Sequence, residues 1–199
     1  MNSSTLYAFF GIAAALFVAE LTDKDAFLLL AVSAKVKARV AFLAGATAFV
    51  LTTTLFVGAG SLLLTVVPVA WVRLAGGAVM LGYGGWQARG LVGYRTVEEE
   101  ESRVERSGTA LGAFLTLVAS LAFLDIAGDA TEVLTVVLVS KYSDLLFVFT
   151  AVCTGLIAAT AFETALGNRL GRLLTPRRLR VVSAAVFLAL GVAILVSGA

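Results

Sequence analysis

Seven of the thirteen acidic residues interrupt long apolar stretches. Glu20, Asp23 and Asp25 lie in AELTDKDAFLLL, Asp125, Asp129 and Glu132 in FLDIAGDATEVL, and Glu163 alone in AATAFETALGN. A charge at the centre of a bilayer costs about 2.5–3.5 kcal/mol on insertion scales, so such acids must be paired, protonated or turned toward a polar cavity. Lys24 is the one basic residue near that depth and cannot neutralise them all. Residues three or four apart share a helix face. On that rule Glu20 and Asp23 lie together, and Asp125, Asp129 and Glu132, at i, i+4 and i+7, form one stripe. Asp25 points about 160° away from Asp23 on an ideal helix, toward Lys24 of a neighbour or the interface. If the two helices cross at the midplane, Glu20, Asp23, Asp125 and Asp129 converge. Carboxylate oxygens suit hard cations such as Ca²⁺ and Mn²⁺, and protons compete for the same atoms. The competing reading puts these acids near span ends, snorkelling to water or pairing with Lys24. It leaves the stripe spacing and the repeat described below as coincidences. For Glu163 a proton relay and a hydrogen bond to a Thr or Ser hydroxyl are equally good readings.

The elements that carry these acids belong in a membrane. The chain has 199 residues, 60% hydrophobic and 14% charged, with a mean hydropathy of +0.99. Soluble domains average about 25% charged residues, so too few polar groups are present to cover a water-soluble globule. With no His and a single Cys, Cys153, a Cys/His zinc site, an intrachain disulfide and a dithiol redox carrier are all excluded. MNSSTLYAFF has no Lys or Arg before its apolar run, unlike a cleaved signal, and reads as a retained first span. A spanning helix needs about 20 apolar residues. Spans are expected at 6–34, 40–66, 69–92, 109–139, 144–173 and 178–198. The first and fourth are long and carry acids near their middles, which predicts broken or kinked helices. The charged stretch 96–108, TVEEEESRVERSG, reads as a solvated loop. Thr52, Thr53 and Thr54 are candidates for lining a cavity, and Trp71, Tyr83 and Trp86 for the aromatic belts.

The fold expected is all-α and integral to the membrane, six transmembrane helices in two inverted three-helix repeats. An offset of 106 residues sets Asp23 on Asp129 and Lys35 on Lys141. Three spans per half is an odd number, so the halves lie in opposite orientations, the plan of many secondary transporters. The division is 1–93 for the first repeat, 94–108 for a linker and 109–199 for the second repeat. Twelve Lys and Arg fall in the three loops on one side of this topology, against Arg73 and Lys141 on the other. The positive-inside rule then places the linker in the cytoplasm and both termini outside. The compact Ala-, Val-, Gly- and Arg-rich chain suggests a prokaryotic cytoplasmic membrane.

AELTDKDAFLLLAVSAK, with a related stretch half a chain later, resembles the GDT-type calcium/manganese–proton exchanger family, which is typified by two E-φ-G-D-[KR]-[ST] motifs. In the first copy Glu20, Asp23 and Lys24 agree, but Thr22 stands for Gly and Asp25 for Thr or Ser. In the second, Gly128, Asp129 and Thr131 agree; Ile126 takes the glutamate position with Asp125 just before it, Ala130 replaces the basic residue, and Glu132 replaces the usual Gln. The resemblance implies a secondary transporter exchanging Mn²⁺ or Ca²⁺ for protons, with no cofactor. Its metal ligands would be Glu20, Asp23, Asp125 and Asp129, with oxygens from Thr22 and Thr131. Lys24, Asp25, Glu132 and Glu163 would support the site or couple protons. The lipid bilayer and a metal cation are the expected partners, nucleic acid is not, and a homo-oligomer is open. Alternatives are a lysine-exporter-like transporter of another cation or small solute, and a non-transporting membrane scaffold. An enzyme is disfavoured, because no nucleophile–base pair or phosphate loop is present.

Overall fold

The computed structural model describes residues 3–21, 23–88, 95–170 and 176–197. Among the described residues the regular structure is all helical: α1 (Ser3–Glu20), α2 (Lys24–Ser33), α3 (Ala38–Leu63), α4 (Val69–Ala88), α5 (Arg95–Glu105), α6 (Ala110–Ile126), α7 (Ala130–Lys141), α8 (Leu145–Leu170) and α9 (Pro176–Ser197). In hydrocarbon every backbone N–H and C=O must be satisfied within the chain, and a helix does so within one segment. Three stretches are long and apolar enough to cross a membrane: α1, α3 and Leu145–Gly167 of α8. The pair α6 and α7 passes that test together, as a helix broken and bent by 64°. Five glycines and Arg73 dilute the hydropathy of α4, and α9 has a shorter apolar core, Ala184–Val196.

The two stretches with central acids are each divided where the acids lie, α1 from α2 at residues 21–23 and α6 from α7 at 127–129. Other helices cover the acids at both breaks, while Ile126, Ala127 and Gly128 of the second stand at the surface. α1 and α2 pack on α8, α3 packs on α6, α7 and α8, and α4 packs on α7 and most extensively on α9. Leu16, Leu28, Leu29, Phe49, Leu117, Leu121 and Leu156 are fully buried between them. Leu51, Leu55, Trp71, Leu74, Leu111 and Leu115 face outward, as side chains in contact with lipid do.

The charged linker differs from the solvated loop expected. Residues 95–105 form α5, which docks on α2 and α6. Glu100 and Val104, one turn apart and so on one face, are both buried. Glu100 accepts hydrogen bonds from the Ser120 hydroxyl at 2.5 Å and from Arg103 at 2.8 Å. On the outer face Lys35 pairs with Glu101 at 2.6 Å and with Glu105. These bonds hold the Lys35 ammonium above its ordinary value of 10.5. Its small, salt-screened contribution is therefore complete below that pH and is lost only as pH rises past it. Composition concealed the buried face, because the residue that fills it is a glutamate with a buried hydroxyl waiting for it.

Removing that glutamate leaves the Ser120 hydroxyl buried without its acceptor. Glu100→Ala is expected to destabilise the protein by about 1–3 kcal/mol, read by thermal unfolding in detergent, and exposed Glu98→Ala by less than about 0.5 kcal/mol. Equal effects would show that α5 does not dock through Glu100.

Candidate cation site

Each helix break is built the same way. Asp23 caps the N-terminus of α2 in an extended conformation (φ −90°, ψ 174°), its Oδ1 accepting from the Lys24 N–H at 2.6 Å. Asp129 does the same for α7 (φ −90°, ψ 142°), accepting from the Thr131 N–H at 2.9 Å. Asp is among the best N-caps, because a short carboxylate reaches the unpaired N–H groups of the first turn. The partial positive charge of a helix N-terminus favours an anion there. The turn before Asp129 runs through Gly128 at φ +114°, a conformation open to glycine and costly for a side chain. The acids therefore sit where the backbone supplies positive ends.

Three of them meet. Asp25, Asp125 and Asp129 each present a carboxylate oxygen, and the three oxygens lie within 4.8 Å of one another. All three residues are buried. Neither oxygen of Asp25 or Asp125 has a hydrogen-bond partner, and Oδ2 of Asp129 has none. Metal–oxygen distances of about 2.3–2.6 Å for Ca²⁺ place opposite ligands roughly 4.6–5.2 Å apart, so one hard cation fits between these oxygens. Asp23 lies against Asp129, with Oδ2 buried and unpartnered. Glu20 is fully buried beside Asp129, Glu163, Asp125 and Asp23, with both oxygens unpartnered. It adjoins the three-oxygen group and is not one of its members.

This arrangement corrects two expectations drawn from ideal helices. Asp25 does not turn away from the other acids. The chain breaks just before Lys24, so no single helical wheel runs from Glu20 through Asp25, and Asp25 in the first turn of α2 faces Asp125. Asp125 and Asp129 are brought together by the turn between α6 and α7, not by one continuous stripe.

The other named residues fall around this group. Thr22 lies outside the described residues. Thr131 is buried and contributes the N–H that caps Asp129. Lys24 reaches across from one break to the other, its Nζ 3.5 Å from the Gly128 carbonyl and its charge near Asp129, Asp25, Asp23 and Asp125. Glu132, buried in the first turn of α7, lies beside Thr52 of α3. An apolar groove of 210 Å³ between α3, α4 and α7, walled by Phe56, Val72, Gly76 and Val137, leads to it. Glu163 on α8 is buried, its two oxygens unpartnered, and neighbours Glu20 rather than a Thr or Ser donor. Thr52 also lies beside Asp125. Sequence reasoning missed one site residue, Tyr83, assigned to an aromatic belt. Its hydroxyl donates to Asp23 Oδ1 at 2.9 Å. A tyrosine in mid-span, whose hydroxyl needs a partner away from water, was the available signal. Trp71 and Trp86 are largely exposed on the outer surface.

A family model described as divalent cation/proton antiporter GDT1 matches residues 8–93 and 113–199. Among the described residues, the matched segments contain seven of the eight buried acids and leave out the linker helix with the eighth, Glu100. No curated protein and no solved structure matches the chain significantly.

Gly128 has nothing within 4 Å of where a Cβ would stand, so a substitution there is opposed by its backbone angle alone. Gly128→Ala is expected to cost about 1–3 kcal/mol in thermal stability, read by unfolding in detergent. Gly58→Ala, equally uncrowded but inside a helix, should be neutral or stabilising. Equal behaviour of the two variants would remove the role of the turn.

Proposed function

The chain belongs to the GDT1 family of divalent cation/proton antiporters, and from that premise we propose that it exchanges Mn²⁺ or Ca²⁺ for protons at the junction of its two broken helices. It is a membrane transporter, not an enzyme. The observation that carries the proposal is the group of buried, unpartnered oxygens of Asp25, Asp125 and Asp129. Desolvated carboxylates without donors are unfavourable unless a cation or protons neutralise them. Asp23 and Glu20 extend the group into an oxygen-only shell, and Thr131 borders it. Such a shell suits hard divalent ions.

The same oxygens serve the counter-ion. A carboxylate binds a proton or a metal, not both through one lone pair, so each metal ion that enters displaces protons and each proton that arrives loosens the metal. Glu163, next to Glu20, and Glu132, in the first turn of α7, serve in this proposal to pass protons to and from the central group. Lys24 offsets part of its negative charge while no metal is bound. The two halves form six spans as inverted repeats, with α1–α2 and α6–α7 as the broken first span of each. Rocking of one half against the other exposes the group to either side in turn. The Lys and Arg bias puts α5 in the cytoplasm and both termini outside.

The test is ion flux in proteoliposomes with an imposed pH gradient, following Mn²⁺ and Ca²⁺ with an internal dye. Gradient-driven uptake is expected from the parent protein. It should be lost in Asp25→Asn, Asp125→Asn and Asp129→Asn, with insertion unchanged. No gradient-driven flux of either ion from folded protein, or parental flux in all three variants, overturns the proposal.

A further inference from the structure

We infer that Tyr83 is a positioning residue for the cation site, fixing the carboxylate of Asp23 so that one oxygen stays free for the ion. This rests on the site proposed above. Asp23 receives two donors on one atom: Oδ1 accepts from the Lys24 N–H at 2.6 Å and from the Tyr83 hydroxyl at 2.9 Å. Its Oδ2 is buried with no partner, and its carboxyl group lies against that of Asp129. With both donors on Oδ1, rotation about the carboxyl bond would break two hydrogen bonds, so Oδ2 is kept without a donor before any ion arrives. Asp129 has its cap bond from Thr131, and the Lys24 ammonium lies near both aspartates. The phenol donor to Asp23 is what distinguishes the first aspartate from its equivalent.

The phenol itself is held in place. Phe187 of α9, fully buried, meets the Tyr83 ring edge-on at 4.9 Å and 86°, and Trp86 meets it at 6.0 Å. The α4 and α9 backbones approach closely beside it. A Cβ on Gly84 would stand 2.9 Å from the Leu188 backbone nitrogen, and one on Gly191 3.0 Å from that of Leu81. The backbone that carries Tyr83 is tied to α9 there. The peripheral helices of both halves thus reach the site through one hydroxyl. Fixing a ligand before binding spares the ion the cost of ordering it. The effect falls on affinity and not on the maximal rate.

The experiment is Mn²⁺ binding to the detergent-solubilised full chain, read by electron paramagnetic resonance, with Mn²⁺ flux in proteoliposomes alongside. Tyr83→Phe, which keeps the ring and removes the donor, is expected to raise the Kd and KM about tenfold, as loss of a hydrogen bond to a charged group does, with the maximal rate within about twofold. In an Asp23→Asn background the same change should add nothing. Trp71→Phe, exposed at the other end of α4, should leave Kd unchanged. Parental affinity in folded Tyr83→Phe, an equal loss in Trp71→Phe, or a full further loss in the Asp23→Asn background would each overturn the inference. If Tyr83→Phe does not fold, Phe187→Leu loosens the ring while keeping the hydroxyl; a raised Kd supports the role and an unchanged one refutes it. Asp125→Asn, run in parallel, separates the two proposals: parental Mn²⁺ binding there removes the site itself.

Discussion

A carboxylate taken out of water must be given a cation, a proton or hydrogen-bond donors, and eight of them are buried among the described residues, seven in the apolar stretches and Glu100 in the linker helix. Most of the architecture around them answers that requirement. The two helices that carry the central acids are interrupted beside them, and each interruption turns a helix N-terminus, with its unpaired N–H groups, toward an aspartate. A continuous helix would bury its acids with no backbone donor free to meet them. Other helices cover the acids at both interruptions, although Ala127 and Gly128 of the second stand at the surface. Among the oxygens left unsatisfied are one each of Asp23, Asp129 and Glu132 and both of Glu20, Asp25, Asp125 and Glu163; those of Asp25, Asp125 and Asp129 lie close enough together to frame a divalent ion.

The near-symmetry of the halves makes their differences informative. Both place an aspartate at the start of a half-helix, but Lys24 has its counterpart in Ala130, so one ammonium serves both breaks. Tyr83 donates to the first aspartate, and the linker helix binds the end of α2 to the middle of α6 through Lys35 and Ser120. A pair of perfectly equivalent halves would have no built-in preference between its two faces. These three contacts all favour a particular placement of the first half's carboxylates relative to the second's.

Much of this was legible in the residues. Apolar length and the central acids marked the stretches 6–34 and 109–139 as broken helices, and the Gly128–Asp129 pair marks a turn and a cap by its own chemistry. The errors have a common origin in treating those stretches as ideal helices. The 3.6-residue wheel sends Asp25 away from Asp23, whereas the break resets the phase and brings Asp25 to Asp125. Tyr83 was hidden because its partner is sixty residues away in sequence, and a lone aromatic in a span is usually a matter of lipid contact. Glu100 was hidden because a run of four glutamates reads as solvated, while only its tertiary partner Ser120 selects one for burial.

The central claim is that a single hard cation binds between Asp25, Asp125 and Asp129. Its most direct test is the anomalous scattering of Mn²⁺ in crystals of the protein grown with that ion. The account predicts one strong peak within coordinating distance of oxygens from all three aspartates, absent in Asp125→Asn. A peak confined to the glutamates of α5, or to the Glu20–Glu163 pair with the three aspartates left empty, would contradict it.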